Sequence, residues 1–148
     1  MCFFVGPNGG YIVWRLDVDE AFVRIHHPCG RCDGFSGPIL PVNPRAAAVH
    51  GIMAYKDAAS LPMAPDLAII ATPPDSVPDL IAELGARGTR AAVVLTAGFA
   101  EGELAVGRER AAKLLAAAQP HLLRVVGPNC LGIAVPSIGL NATFAPAG

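Results

Sequence analysis

Three short apolar runs, each halted by a turn, constrain this fold most: residues 67–71 (LAIIA), 91–95 (AAVVL) and 123–126 (LRVV). Such runs, with no polar alternation, fit strands covered on both faces, as inside a parallel sheet. Helical patterns lie between them. In residues 76–87, Val77, Leu80, Ile81 and Leu84 recur at i, i+3, i+4 and i+7, Ser76 and Asp79 read as a capping box, and Gly85 and Gly88 close the helix. Residues 103–118 read as the next helix, with Leu104, Ala111, Leu114, Leu115 and Ala118 inward and Arg108, Glu109, Arg110 and Lys113 mostly outward. Strand, helix, strand, helix, strand with single-helix crossovers predicts an α/β fold, a Rossmann-like doubly wound parallel sheet.

The flanks are read less directly. Residues 38–42 (PILPV) predict a short strand, 45–50 a short helix, 51–55 a minor strand and 56–61 a helical turn. Residues 140–148 show no strong pattern and read as a linker-like tail. Residues 1–33 form an atypical N-terminal unit, and 34–139 the body of the domain. Cys2 to Val5 followed by Gly6-Pro7-Asn8-Gly9-Gly10 suits an opening strand and turn. However, Trp14, Leu16 and Val18 alternate with Arg15, Asp17 and Asp19, a strand signal where a helix is wanted, and residues 22–26 look strand-like too. Either the first unit is rebuilt, or this segment is not the original start of the domain.

A chain of 148 residues is long enough for one domain with a substantial core. Although 53% of residues are apolar, no run approaches the roughly 20 needed to span a membrane, so no membrane role is expected. The start carries no basic region of the kind that opens a signal peptide. A net charge of −1 with scattered arginines argues against nucleic acid as a partner. Cys2, Cys29, Cys32 and Cys130 are read as free thiols of a cytoplasmic protein.

Four turns follow predicted strands: Asn43-Pro44-Arg45, Thr72-Pro73-Pro74, Thr96-Ala97-Gly98-Phe99 and Gly127-Pro128-Asn129-Cys130. In a parallel sheet all four open on the same edge, where ligands of such sheets bind. Helix starts after at least two of them would offer backbone N–H groups to phosphate. Any single turn is explained as punctuation by Pro and Gly; four on one edge point to a nucleotide-like ligand. The dinucleotide signature G-x-G-x-x-G and an acid at the end of the second strand are both missing. Instead the second strand ends at Asn43 with Arg45 just beyond, which suits a phosphorylated ribose, whether the 3′-phosphate of coenzyme A (CoA) or the 2′-phosphate of NADP.

The motifs together resemble a known family. Gly34-Phe35 with Gly37-Pro38, Pro41-Val42-Asn43-Pro44-Arg45, the stretch 66–74 (DLAIIATPP), Thr96-Ala97-Gly98-Phe99, the stretch 127–132 (GPNCLG) and the stretch 140–146 (LNATFAP) look like the CoA-binding domain of the NDP-forming acyl-CoA synthetases. That family includes ADP-forming acetyl-CoA synthetase and is related to the α subunit of succinyl-CoA synthetase. The same domain also occurs fused to an acetyltransferase module in protein-lysine acetyltransferases. The likeness covers residues 33–146.

The resemblance implies that Asn43 and Arg45 lie near the adenosine end of CoA, Thr72, Pro73 and Pro74 line its groove, Ala97, Gly98 and Phe99 form the next loop along, and Asn129 and Cys130 sit near the pantetheine thiol. It implies CoA or acyl-CoA as ligand, ADP and ATP only through other domains, and other synthetase domains or subunits as partners; a homo-oligomer stays open. Two departures stand out. The family's Gly-Ala-Ser turn after the first strand is not recognisable before Asp33, and His26, His27, His50 and His121 match no phosphohistidine motif. The family's phosphohistidine and nucleotide-grasp domains are not encoded here, so no catalytic residue is assigned and no turnover by this chain alone is expected. A non-catalytic CoA-binding regulatory module and an NADP-type binder are the alternatives.

Other chemistry is weaker. Cys130 in a tight turn reads as packing beside the CoA thiol rather than as a nucleophile. Cys29 and Cys32, with His26 and His27 just before them, have neither the spacing of a zinc finger nor a second C-x-x-C, so no metal is assigned. Glu101 and Glu103 read as acids at a helix start.

Overall fold

The computed structural model describes residues 11–14, 38–49, 52–99 and 105–143. The three apolar runs form strands β5 (Leu67–Ile70), β6 (Ala91–Val94) and β7 (Arg124–Val126). The centres of β5 and β6 are closed to solvent: Ala68, Ile69, Ile70, Ala92, Val93 and Val94 are fully buried, which is why those two runs lack polar alternation, whereas β7, at the edge of the sheet, exposes Arg124 and Val126. Two more strands, β1 (Tyr11–Trp14) and β2 (Pro41–Val42), extend the sheet. All pairings are parallel and the order is β2-β1-β5-β6-β7. The chain therefore steps outward from β1 to β2 and returns to the other side of β1 as β5, so the topological switch point lies between β1 and β5. The sheet is the parallel one expected of a Rossmann-like α/β fold. Residues 11–14, inside the atypical N-terminal unit, supply one of its inner strands.

Helix α1 (Val77–Ala86) buries Val77, Leu80, Ile81 and Leu84, the stripe its periodicity predicts. Its capping box does not form: Ser76 is the N-cap residue, but its hydroxyl donates to the Pro73 carbonyl at 2.8 Å and no side chain caps the helix. Gly88, at φ +101°, ends the helix as expected. Gly85 has a different role. It lies inside α1, and an added Cβ would stand 2.6 Å from the ring of His121, so glycine here lets residues 119–121 approach the helix.

Helix α2 (Ala105–Ala118) packs on α1. Gly107, Leu114 and Ala118 are buried and Ala111 is half-buried, but Leu115 is 64% exposed rather than inward. The inward stripe runs 107, 111, 114, 118, and a residue one step beyond 114 falls off it. Among the described residues no helix is long and apolar enough to cross a membrane.

Two segments depart from expectation. The short helix expected over 45–50 is absent, because Ala48–Val49 (β3) turns back to pair antiparallel with Ile52–Met53 (β4). Asn43 Oδ1 accepts from the Arg45 and Ala46 amides at 2.9 and 3.1 Å, as an N-cap would. Burial of Val49 and a bond from the Ala54 amide to the Ala47 carbonyl then favour the hairpin over a helix. Residues 56–61 do turn, held by reciprocal Asp57–Ser60 bonds, the shortest 2.8 Å. The start of the linker-like tail is also structured: Leu140–Thr143 (β9) pairs antiparallel with Gly132–Val135 (β8), burying Leu140 and Ala142. Two inward apolar residues in four are too few to stand out in the sequence. The readings of Cys2 to Val5, the Gly6–Gly10 turn, residues 22–26, the Cys29/Cys32 pair, Glu101, Glu103 and Leu104 lie outside the described residues.

Candidate functional site

Three of the four turns are bound into one edge. β5 and β6 run in register to Ile70 and Val94, and the ladder continues with a 2.8 Å bond from the Leu95 amide to the Ile70 carbonyl. One residue on, Thr96 Oγ1 donates to the Thr72 carbonyl at 2.8 Å, so the turn after β6 holds the turn after β5. The Asn129 amide donates to the Thr96 carbonyl at 3.0 Å, and the Cys130 thiol reaches the Val94 carbonyl at 3.4 Å, so the turn after β7 closes onto the same place. Gly127, at φ +96°, makes that approach possible: a Cβ there would stand 2.4 Å from the Val94 carbonyl oxygen. Asn129 takes a left-handed φ of 52°, which Asn tolerates better than most residues.

A second set of bonds crosses the rim. Arg110, on α2, grips both carboxylate oxygens of Asp75 and the carbonyl of Gly98. The guanidinium holds the Asp75 carboxyl below its usual value, and the carboxylate in turn raises Arg110. The helix period alone placed Arg110 outward. Nothing local in sequence marks a partner 35 residues away on a different turn.

The expected site residues divide by burial. Asn43, Thr72 and Phe99 are buried, so their side chains build the turns from beneath. Arg45, Pro73, Ala97, Gly98 and Asn129 are exposed, and Pro74 and Cys130 are half-buried. Thr72, Pro73, Pro74, Ala97, Gly98, Asn129 and Cys130 share the stitched edge, with Phe99 anchoring the middle loop in the core. The Asn43-Pro44-Arg45 turn stands apart at the end of β2, with β1 between it and β5. It is secured by a 2.8 Å bond from the Asn43 amide to the Tyr55 carbonyl. The hydroxyl of Thr72 is buried at the switch point and makes no hydrogen bond. The Cys130 thiol also lies 3.8 Å from the Val126 carbonyl. Among the described residues no cluster of His, Cys, Asp and Glu could hold a metal.

Among the described residues, this edge offers exposed glycine backbone, stiff prolines and a small polar tip. That suits holding an extended ligand. Comparison with known proteins agrees. Residues 29–136 match a family model described as a CoA binding domain. The ADP-forming acetate–CoA ligase of Methanocaldococcus jannaschii is 42% identical over 112 residues, 75% of this chain and 15% of its own length. The α subunit of ADP-forming acetate–CoA ligase II from Pyrococcus furiosus is 40% identical over 109 residues, 73% of this chain and 23% of its own. The Archaeoglobus fulgidus ligase II is 34% identical over 141 residues, 95% of this chain and 19% of its own. Acetyl-coenzyme A synthetase 1 of Ca. Korarchaeum cryptofilum, solved in its apo form and with phosphate and ADP, superposes with TM-score 0.70 at 36% identity over 77% of this chain and 24% of its own. The chain thus spans less than a quarter of each of these relatives. A parallel sheet with stitched turns at its C-terminal edge, carried on a sequence this similar, places the chain in the CoA-binding domain family, homologous to part of the ADP-forming acetate–CoA ligases.

Proposed function

We propose that the chain binds coenzyme A along the edge of turns and serves as the CoA-holding part of an ADP-forming acyl-CoA synthetase. The observation that carries this reading is the bonding of the turns at Thr72, Thr96 and Asn129 into one preformed edge beside the switch point, in a chain of this family. Arg45, exposed beyond β2, faces the ribose phosphate end of the ligand; Pro73, Pro74, Ala97 and Gly98 line the groove; Asn129 and Cys130 lie toward the thiol. Buried Asn43, Thr72 and Phe99 shape the turns that do so. The reaction served exchanges acyl-CoA, ADP and phosphate for acid, CoA and ATP. Its phosphoryl steps belong to further domains or subunits, consistent with relatives named as α subunits. A cytoplasmic setting is part of the same reading.

Calorimetric titration with CoA, dephospho-CoA, NADPH and ADP tests the reading. CoA binds and NADPH does not; NADPH binding without CoA binding overturns it. Arg45→Ala weakens CoA by roughly fivefold to tenfold, the size of one lost charged contact, and leaves dephospho-CoA nearly unchanged. Equal losses for both ligands remove Arg45 from the phosphate.

A further inference from the structure

Arg110 belongs to none of the four turns, yet its guanidinium ties the loop after β6 to the residue just past the turn after β5. Nε donates to Asp75 Oδ1 at 2.7 Å and a terminal nitrogen to Asp75 Oδ2 at 3.0 Å, a two-pronged grip on the carboxylate. The other terminal nitrogen donates to the Gly98 carbonyl at 3.0 Å. Asp75 follows the turn after β5, and Gly98 lies in the loop after β6. The two surfaces touch: a Cβ on Gly98 would stand 3.4 Å from Pro74 Cγ and 3.8 Å from the Arg110 nitrogen. The guanidinium therefore sits at the seam between them. Asp75 is 77% and Arg110 25% exposed, and an ion pair so open to water contributes little to folding. What the arrangement does supply is geometry, because one planar fork reaches three acceptors on two segments from three separate nitrogens, whereas an ammonium must reach all its acceptors from one.

We propose that Arg110 is a positioning residue of the CoA site, fixing the separation of the Thr72–Asp75 turn and the Thr96–Phe99 loop so that the ligand meets one preformed wall. The proposal rests on the CoA reading above. Ordering made before binding need not be made at the moment of binding, so its loss appears as weaker affinity. Arg110→Ala and Arg110→Lys both weaken CoA by roughly fivefold to tenfold, the size of ordering one or two side chains on binding. Their thermal stability stays close to that of the parent chain.

The experiment combines calorimetry with CoA and 15N relaxation of the Asp75 and Gly98 amides in the parent chain, Arg110→Ala, Arg110→Lys and Asp75→Asn. Asp75→Asn attacks the grip from the other side and serves if an Arg110 variant fails to fold. Lower order parameters at both amides, together with weaker CoA binding in all three variants, support the proposal. CoA binding within twofold of the parent overturns it, as do unchanged order parameters. Full recovery by Lys also overturns it, since charge alone would then suffice. If the parent chain itself does not bind CoA, the proposed function falls separately, and the relaxation data alone decide whether Arg110 holds the two segments together.

Discussion

Thr72 and Thr96 bring the same side chain to the same buried edge with opposite consequences. Thr96 Oγ1 donates to the Thr72 carbonyl, whereas Thr72 Oγ1 is buried with no partner. Thr96→Val deletes a bond and strands a carbonyl, which costs about 1–2 kcal/mol. Thr72→Val replaces an unpaired hydroxyl with a methyl of the same shape and is neutral or slightly stabilising. Urea denaturation of the two variants side by side checks this, and equal losses would contradict it. Both threonines stand in turns that the sequence marks plainly, but their difference does not appear there, because it depends on which neighbour a hydroxyl meets across the sheet. Asn43 is similar. The sequence marks it as a turn residue, while its work in accepting the Arg45 and Ala46 amides emerges only from the folded loop.

Elements with a full period are the most legible, and not every short one is. The apolar stripe of α1 and the strands β5, β6 and β7 follow directly from their patterns, since each repeats its signal over several residues. The short β2 and β4 fall inside the strands expected over 38–42 and 51–55, whereas β3 and β9 carry no such repeat, and their pairing partners decide them. In α2 the stripe is narrower than the run of apolar residues suggests, so Leu115 faces out and Arg110 lies close enough to the rim to reach Asp75. This tie between α2 and the turn after β5 has a pH signature. The Asp75 carboxyl titrates lower in the folded chain than its ordinary value of 3.8, chiefly through its bond to Arg110. The pair's contribution is therefore complete above that ordinary value and is lost as pH falls through the folded one. Asp75 is exposed, so the effect is small. Urea midpoints followed from about pH 5 to about pH 2 fall less steeply in Asp75→Asn than in the parent chain.

At the scale of the whole molecule, the sequence conveys a parallel sheet and the edge on which its turns open, but not the order of its strands. The alternation around Trp14 signals a strand. Its place between β2 and β5 is decided by pairing with residues about 30 and 55 positions away. With the strand order known, the switch point falls beside Thr72, and ligand binding there should stabilise the entire fold. CoA at about a hundred times its dissociation constant adds about 2.7 kcal/mol, a rise in melting temperature of roughly 5–10 °C for a chain of this size. Differential scanning fluorimetry with CoA and with NADPH reads this directly, and only CoA should produce the rise. The edge has one more consequence. Apart from the grip of Arg110 on the Asp75 carboxylate, the bonds that join its turns end on main-chain groups: the carbonyls of Thr72, Val94, Thr96 and Gly98 and the amide of Asn129. Outward side chains such as Pro73 and Ala97 take no part in them. Evolution or a protein engineer can therefore rewrite what this rim prefers by exchanging those side chains, while the frame that presents them keeps its shape.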